Sequence, residues 1–154
     1  HGKGIIASKN IKKNTKIIQY IGEKILKSEG DKRSAERIRK YINNKNEGSV
    51  YIFELNKKYD IDGSPLYNKA RYINHSCNPN CEVEIEKNEI WIKSIRHIKK
   101  NEELSYDYGY PFDEEDYTDH ICKCGSKKCI GYIISSEDWK KYKKFLQKKI
   151  RKLK

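Results

Sequence analysis

Arg71-Tyr-Ile-Asn-His-Ser-Cys-Asn-Pro-Asn-Cys81 decides the reading of this chain. It fits neither a strand nor a helix: polar, aromatic and sulfur-bearing side chains crowd into eleven positions with no period of 2 or 3.6. Such irregular, chemically dense loops carry function more often than the scaffold around them. A second segment of the same kind is Cys122-Lys-Cys124-Gly-Ser-Lys-Lys-Cys129. Three thiols at CxCx4C spacing suit a tetrahedral metal but leave it one ligand short. The fourth ligand is Cys77, Cys81 or one of four histidines. Gly125 allows the tight turn that the spacing needs.

Around these two loops the chain reads mainly as short strands. Gly4–Ala7 and Lys16–Ile21 are Ile-rich runs separated by a polar loop, and Val50–Leu55 and Tyr59–Ile61 precede an Asp62-Gly63 turn. Cys81–Glu86 alternates, Lys87-Asn88-Glu89 reads as a hairpin loop, and Ile90, Ile92 and Ile95 mark the return strand. Glu103–Tyr108 is a further strand. Two helices are expected. One covers about Asp31–Lys45, with Ala35, Ile38 and Ile42 as its apolar stripe. The other starts at Ser135 or Ser136 as N-cap, with Trp139, Tyr142, Leu146 and Ile150 near helical spacing and lysines elsewhere.

Bulk composition narrows the classes. The 154 residues suffice for one domain with its own core, although only 36% are hydrophobic. No apolar run approaches the roughly 18 residues that span a bilayer, so no membrane partner is expected. The absence of Met leads us to expect a piece of a longer protein. Lys+Arg 34 against Asp+Glu 22 gives +12, which favours polyanions such as nucleic acid. The abundance of Lys, Asn, Ile and Tyr also fits AT-rich coding, which would produce many merely solvated lysines. Five unevenly spaced cysteines argue against a disulfide framework and for thiolates on a metal in a reducing compartment.

The loop at Arg71–Cys81 resembles the signature of SET-domain lysine methyltransferases, and the other hallmarks follow in family order. They are His1-Gly2-Lys3-Gly4, Tyr20-Ile-Gly22-Glu23, Glu103-Leu-Ser-Tyr-Asp-Tyr108-Gly, and the CxCx4C followed by Gly131, as in a post-SET zinc tail. The resemblance covers residues 1–133 and is closest in wording to the trithorax and mixed-lineage-leukaemia-like enzymes. It implies small β-sheets around a knot-like active-site core: a SET domain over 1–115 with a helical insert at about 28–47, a post-SET segment at 116–134, and a basic helix at 135–154. No cysteine-rich pre-SET segment is present, and a strand that commonly precedes the GxG is not seen.

The resemblance further implies one structural zinc ion on Cys77, Cys122, Cys124 and Cys129, leaving Cys81 as a strand residue. S-adenosylmethionine would lie against Gly2, Lys3, Gly4, Tyr51, Arg71, Tyr72, Asn74, His75 and Tyr108, with Tyr132 packing on its adenine. Tyr108 corresponds to the catalytic tyrosine and Tyr20 to the tyrosine lining the lysine channel. Tyr106 stands where the family has Phe or Tyr, a position that limits how many methyls fit, so mono- or dimethylation is expected. Histone lysine methylation, with histone H3 the leading substrate, follows by analogy. The alternatives are a catalytically inactive chromatin-binding scaffold and a methyltransferase of a non-histone protein. The expected location is the nucleus, or a host nucleus if a parasite, symbiont or virus encodes the chain. The basic C-terminal helix suggests a weak DNA contact, and Asp113–Asp116 an acidic rim for a Lys/Arg-rich tail.

Overall fold

The computed structural model describes residues 3–43 and 50–152. Strands β1 (Lys16–Tyr20), β6 (Cys81–Glu86) and β7 (Glu89–Ser94) form one antiparallel sheet in the order β1-β7-β6. Strands β2 (Glu23–Leu26), β3 (Ile52–Glu54) and β4 (Tyr59–Asp62) form a second, ordered β2-β4-β3. The third sheet is a two-residue parallel pair, β5 (Asn74–His75) on β8 (Ser105–Tyr106). Two α-helices complete the set, α1 (Lys27–Asn43) and α2 (Trp139–Lys152). The expected fold, small sheets with few helices, is therefore what the chain adopts. Among the described residues no helix is long and apolar enough to cross a membrane.

The β6–β7 hairpin keeps the predicted alternation but turns more tightly. Lys87 and Asn88 both adopt positive φ, 52° and 62°, and Glu89 already pairs with Glu86. That is the two-residue turn whose twist matches the flanking strands. Two expected strands are shorter than their apolar pattern suggests. Gly4–Ala7 contributes only the Ile6–Glu103 bridge, and Glu103–Tyr108 only the two residues of β8. Neither has a neighbouring strand long enough to propagate a ladder.

Helix α1 corrects the sequence reading in start and in face. It begins at Lys27 rather than Asp31, and Ala35 and Ile38 are exposed. Residues 44–49, where the expected helix and insert end, lie outside the described residues, as do the side chains of 41–43. The face that meets the sheet carries Gly30, Arg33 and Arg37 instead. Gly30 lies so close to Asp60 that an added Cβ would sit 2.3 Å from the carboxylate. Arg33 and Arg37 both reach Asp62, at 2.9 and 2.8 Å, and Asp62 is 2% exposed. Ser64 N–H also donates to Asp62, at 3.1 Å. Burial acts to raise the Asp62 carboxyl, but Arg37 and Arg33 outweigh it and hold the group well below the usual carboxylate range. Charge rather than an apolar stripe seats this helix.

The main core gathers Tyr20, Leu55, Ala70, Ile73, Ile90, Ile92, Ile98, Leu104 and Tyr106 between the sheets. A second apolar cluster lies in the last third of the chain: Phe112, Tyr117, Ile134 and Tyr142, with Trp139, Phe145 and Leu146 packed on it. Ser135 accepts from Glu137 N–H and caps a 3₁₀ turn at Ser136–Asp138, which runs on into α2. The predicted cap residue thus opens the helix one turn before its α-helical part.

Replacing Asp62 with Asn should lower stability by about 2 kcal/mol at pH 7, less than for a fully buried pair because both arginines are partly exposed. The contribution of a depressed carboxyl is complete above its unfolded pKa of about 3.9 and is lost as pH falls toward the folded value. Denaturant titrations of the two proteins should therefore differ constantly from pH 7 to about 5 and converge only in stronger acid.

Candidate active site and metal centre

The signature loop and β8 are joined by more than their short ladder. Ser76 N–H donates to Tyr106 O and Asn80 N–H to Ser105 O. The Asn80 side chain, 2% exposed, donates to Glu102 Oε1 and Glu103 O and accepts from Ser105 N–H. One buried amide thereby binds three partners on β8 and the residues just before it, a network that fixes geometry as well as stability.

This junction sets a row of aromatic rings. Tyr20 and Phe53 have centroids 4.5 Å apart, Phe53 and Tyr106 5.8 Å, Tyr106 and Tyr108 5.0 Å, Tyr108 and Tyr110 6.0 Å. The Tyr20 ring lies over Gly63, where any Cβ would fall 2.2 Å from it. Tyr20 Oη donates to Tyr51 O at 2.9 Å and Tyr108 Oη to Ile73 O at 3.1 Å. Burial pushes the Tyr108 phenol up to about 12 and also raises the Tyr20 and Tyr106 phenols well above their ordinary value. All three stay protonated near neutrality, so they orient by hydrogen bonding and none is a ready base.

Beside the row opens a cleft of about 440 Å³ lined by Gly4, Asn74, His75, Glu103, Lys123 and Cys124, among others. Its size suits a nucleoside-sized ligand. Asn74 Nδ2 donates to Glu103 Oε1 at 2.8 Å and to Lys3 O at 3.3 Å. The Glu103 carboxylate fills the space where a side chain at Gly4 would be, 2.5 Å from an ideal Cβ. Arg71 stacks on Tyr51 at 4.0 Å and on Tyr72 at 5.5 Å, while Lys3 Nζ lies 5.5 Å from the Tyr72 centroid. The structure thus groups Lys3, Tyr51, Arg71 and Tyr72, and places Asn74 and His75 where the cleft meets the aromatic row. Gly2 lies outside the described residues. Tyr132 packs edge-on to Tyr117 at 4.9 Å, within the second apolar cluster.

Cys77, Cys122, Cys124 and Cys129 come together with all four sulfurs within 4.8 Å. Cys77 Sγ is 3.7 Å from Cys122 Sγ and 4.0 Å from Cys129 Sγ. Tetrahedral zinc with Zn–S bonds of about 2.3 Å places its sulfurs about 3.8 Å apart, so the spacing fits. Burial pushes the Cys77 thiol up to about 11 and the Cys122 thiol further. At Cys124 burial also acts upward, but hydrogen bonds from the Cys77 and Ser126 backbone prevail and bring it down to about 6. A divalent cation is the partner that lets all four ionise together. Locally, Gly125 and Gly131 take φ of 68° and 89°, and Cys122 N–H donates to Gly131 O, closing the loop on itself. Cys81 stays apart, 1% exposed and paired with Ser94 in the sheet.

Phe53, Tyr110 and Glu103 belong to the site although the sequence reading assigned them no role in it. Phe53 is visible in the sequence only as part of the Val50–Leu55 run, and Glu103 as the start of a strand. The acidic residues Asp113–Asp116 are exposed, with Asp113 Oδ1 accepting from Glu115 N–H.

Residues 2–109 match the family model described as the SET domain. Over 138 residues the chain is 38% identical to a histone-lysine N-methyltransferase, H3 lysine-4 specific, of Aspergillus oryzae. It is 40% identical over 136 residues to histone-lysine N-methyltransferase 2D of Homo sapiens, and 36% over 137 to histone-lysine N-methyltransferase trithorax of Drosophila virilis. Each alignment covers 86% of this chain but only 11%, 2% and 3% of those proteins.

Elemental analysis should find one divalent ion per chain. Cys77→Ser should weaken its binding by at least about a hundredfold, beyond what loss of an outer-shell partner costs, while Cys81→Ser leaves the stoichiometry at one.

Proposed function

The chain belongs to the SET-domain family, and on that premise we propose that it is a protein-lysine N-methyltransferase using S-adenosylmethionine, with a histone tail as substrate. The observation that carries this reading is the row Tyr20–Phe53–Tyr106–Tyr108, buried at Tyr20 and Tyr106, whose Tyr108 ring packs on His75 in the cleft wall. In it, residues 1–115 form the catalytic unit, 116–134 the zinc-binding tail and 135–154 an appended basic helix. The nucleus is the corresponding location.

S-adenosylmethionine, when bound, supplies a methyl group on a positively charged sulfur. Gly4 and the Lys3 carbonyl, with Asn74, His75 and the Tyr51–Arg71–Tyr72 stack, form its seat. The aromatic row receives the substrate lysine. Its low polarity disfavours an ammonium ion, and a lysine with an ordinary pKa of about 10.4 enters reaction as the neutral amine. Tyr108, its hydroxyl oriented by Ile73 O, fixes the angle of approach, so rate arises from alignment rather than from a dedicated base. Tyr106, 5% exposed between Phe53 and Tyr108, restricts the room for a second or third methyl, which makes mono- or dimethyl-lysine the expected product.

Cys77, Cys122, Cys124 and Cys129 would hold a zinc ion that ties the tail to the signature loop, with Lys123 and Cys124 at the cleft wall. The relatives named as H3 lysine-4 specific make histone H3 the first substrate to try. A nucleosomal substrate also gives α2 a role. That helix carries eight Lys/Arg and no Asp or Glu, against +12 for the chain. Among the described residues Lys140, Lys143, Lys144, Lys148 and Arg151 are exposed and form no ion pair. The apolar face of α2 is engaged with Phe112 and Tyr117, so it is not available to enter a bilayer, and its charged face suits DNA phosphates.

Labelled S-adenosylmethionine and nucleosomes should yield methylated histone. Tyr108→Phe should reduce transfer on the order of a hundredfold, and chelation should abolish it; no transfer to any histone would overturn the reading. Mass spectra should shift to higher methyl states in Tyr106→Phe, and trimethyl-lysine from the unaltered protein would exclude the assigned limit. For DNA, exchanging Lys140, Lys144 and Lys148 for Gln should flatten the log–log salt dependence of duplex binding by about 0.9 for each phosphate that is no longer neutralised.

A further inference from the structure

His75 touches both halves of the proposed machinery with different nitrogens. Its ring is buried, 8% exposed, and packs edge-on to Tyr108 at 5.4 Å. Nδ1 accepts the Tyr108 backbone N–H at 3.2 Å. Nε2 lies 3.6 Å from Cys77 Sγ. A backbone N–H can only donate, so Nδ1 must be bare, and a neutral imidazole then carries its proton on Nε2. That proton points at a sulfur of the four-cysteine cluster. Asp107, whose Oδ1 is 3.8 Å from Nδ1, does not compete strongly, because its carboxylate already accepts from Gly109 N–H and Ser136 N–H.

We propose that His75 is a positioning residue that couples the metal centre to the catalytic tyrosine: Nε2–H holds the Cys77 sulfur while Nδ1 holds the Tyr108 backbone. The inference rests on the reading of Tyr108 and the zinc site given above. A thiolate accepts a hydrogen bond better than a thiol, so metal binding at Cys77 tightens the Nε2–H contact. The same rigid ring then fixes the strand end that carries the Tyr108 hydroxyl. Outer-sphere donors of this kind orient metal ligands and tune their electron density. The coupling is direct, since one planar ring spans both contacts and no chain of intermediate residues is needed.

Two substitutions separate the two contacts. In His75→Asn the amide oxygen falls near the Nδ1 position and can still accept from Tyr108 N–H, but nothing reaches Cys77. In His75→Gln the amide nitrogen falls near the Nε2 position and can still donate to Cys77, but Tyr108 N–H loses its acceptor. With cobalt(II) in the cluster, His75→Asn should shift the thiolate-to-metal charge-transfer band to lower energy and weaken metal affinity about 10- to 100-fold. His75→Gln should keep both close to the unaltered protein. At saturating metal the order should reverse for turnover, His75→Gln losing at least about tenfold more in kcat than His75→Asn. Identical behaviour of the two variants, or loss of kcat that tracks loss of metal affinity in both, would overturn the coupling. Should either variant fail to fold, nitrogen-15 NMR of the unaltered zinc-loaded protein decides: protonated Nε2 with bare Nδ1 supports it, and the opposite tautomer rules it out. If the unaltered protein neither binds metal nor transfers methyl, the functional reading fails instead.

Discussion

Everything in this chain depends on a parallel pairing two residues long. Asn74–His75 against Ser105–Tyr106 is far too short to hold by ladder hydrogen bonds alone, and the crossover between them contains the whole β6–β7 hairpin. Asn80 makes the junction stable. Its amide donates to Glu102 Oε1, which Arg96 also binds, and to the Glu103 carbonyl, and it accepts from Ser105 N–H, so one side chain ties three successive contacts into a half-buried seam. Given that seam, the rings of Tyr106 and Tyr108, the cleft at Asn74 and the sulfur of Cys77 are all placed by one local geometry. Without it they would belong to separate loops.

The rest of the molecule is economical with apolar residues and offsets this in two ways. Over residues 16–93, charge replaces grease: Arg33 and Arg37 converge on buried Asp62, and Lys16 and Lys93 are paired with glutamates across the sheet. In the last third, aromatic rings replace aliphatic ones, Phe112, Tyr117, Tyr132, Tyr142 and Phe145 packing tilted or edge-to-face at 4.9–6.0 Å. Aromatic pairs contribute more per residue than area alone gives, which suits a segment this small.

Local features were readable from the sequence because their causes are local. The Ser135 cap, the spacing of Trp139, Tyr142 and Leu146, and the alternation of Cys81–Glu86 all fall where periodicity places them. The cysteine spacing revealed three ligands, and the fourth came only from the wording of the signature loop. What escaped were long-range effects. Ala35 and Ile38 have the right spacing for a buried stripe, yet an ion pair with Asp62 turns the other side of α1 inward. Phe53 and Glu103 enter the site through partners 53 and 29 residues away, Tyr106 and Asn74, and no window along the chain contains such a signal.

The cleft wall combines residues from both ends of the described chain, Gly4 at one and Lys123 and Cys124 at the other. A ribosome delivers these in order. Gly4, Asn74 and Glu103 can assemble while the cysteine tail is still inside the exit tunnel, but the wall is complete only after Lys123 and Cys124 have emerged. Of the residues that line the cleft, the two that close its wall are thus the last to be synthesised.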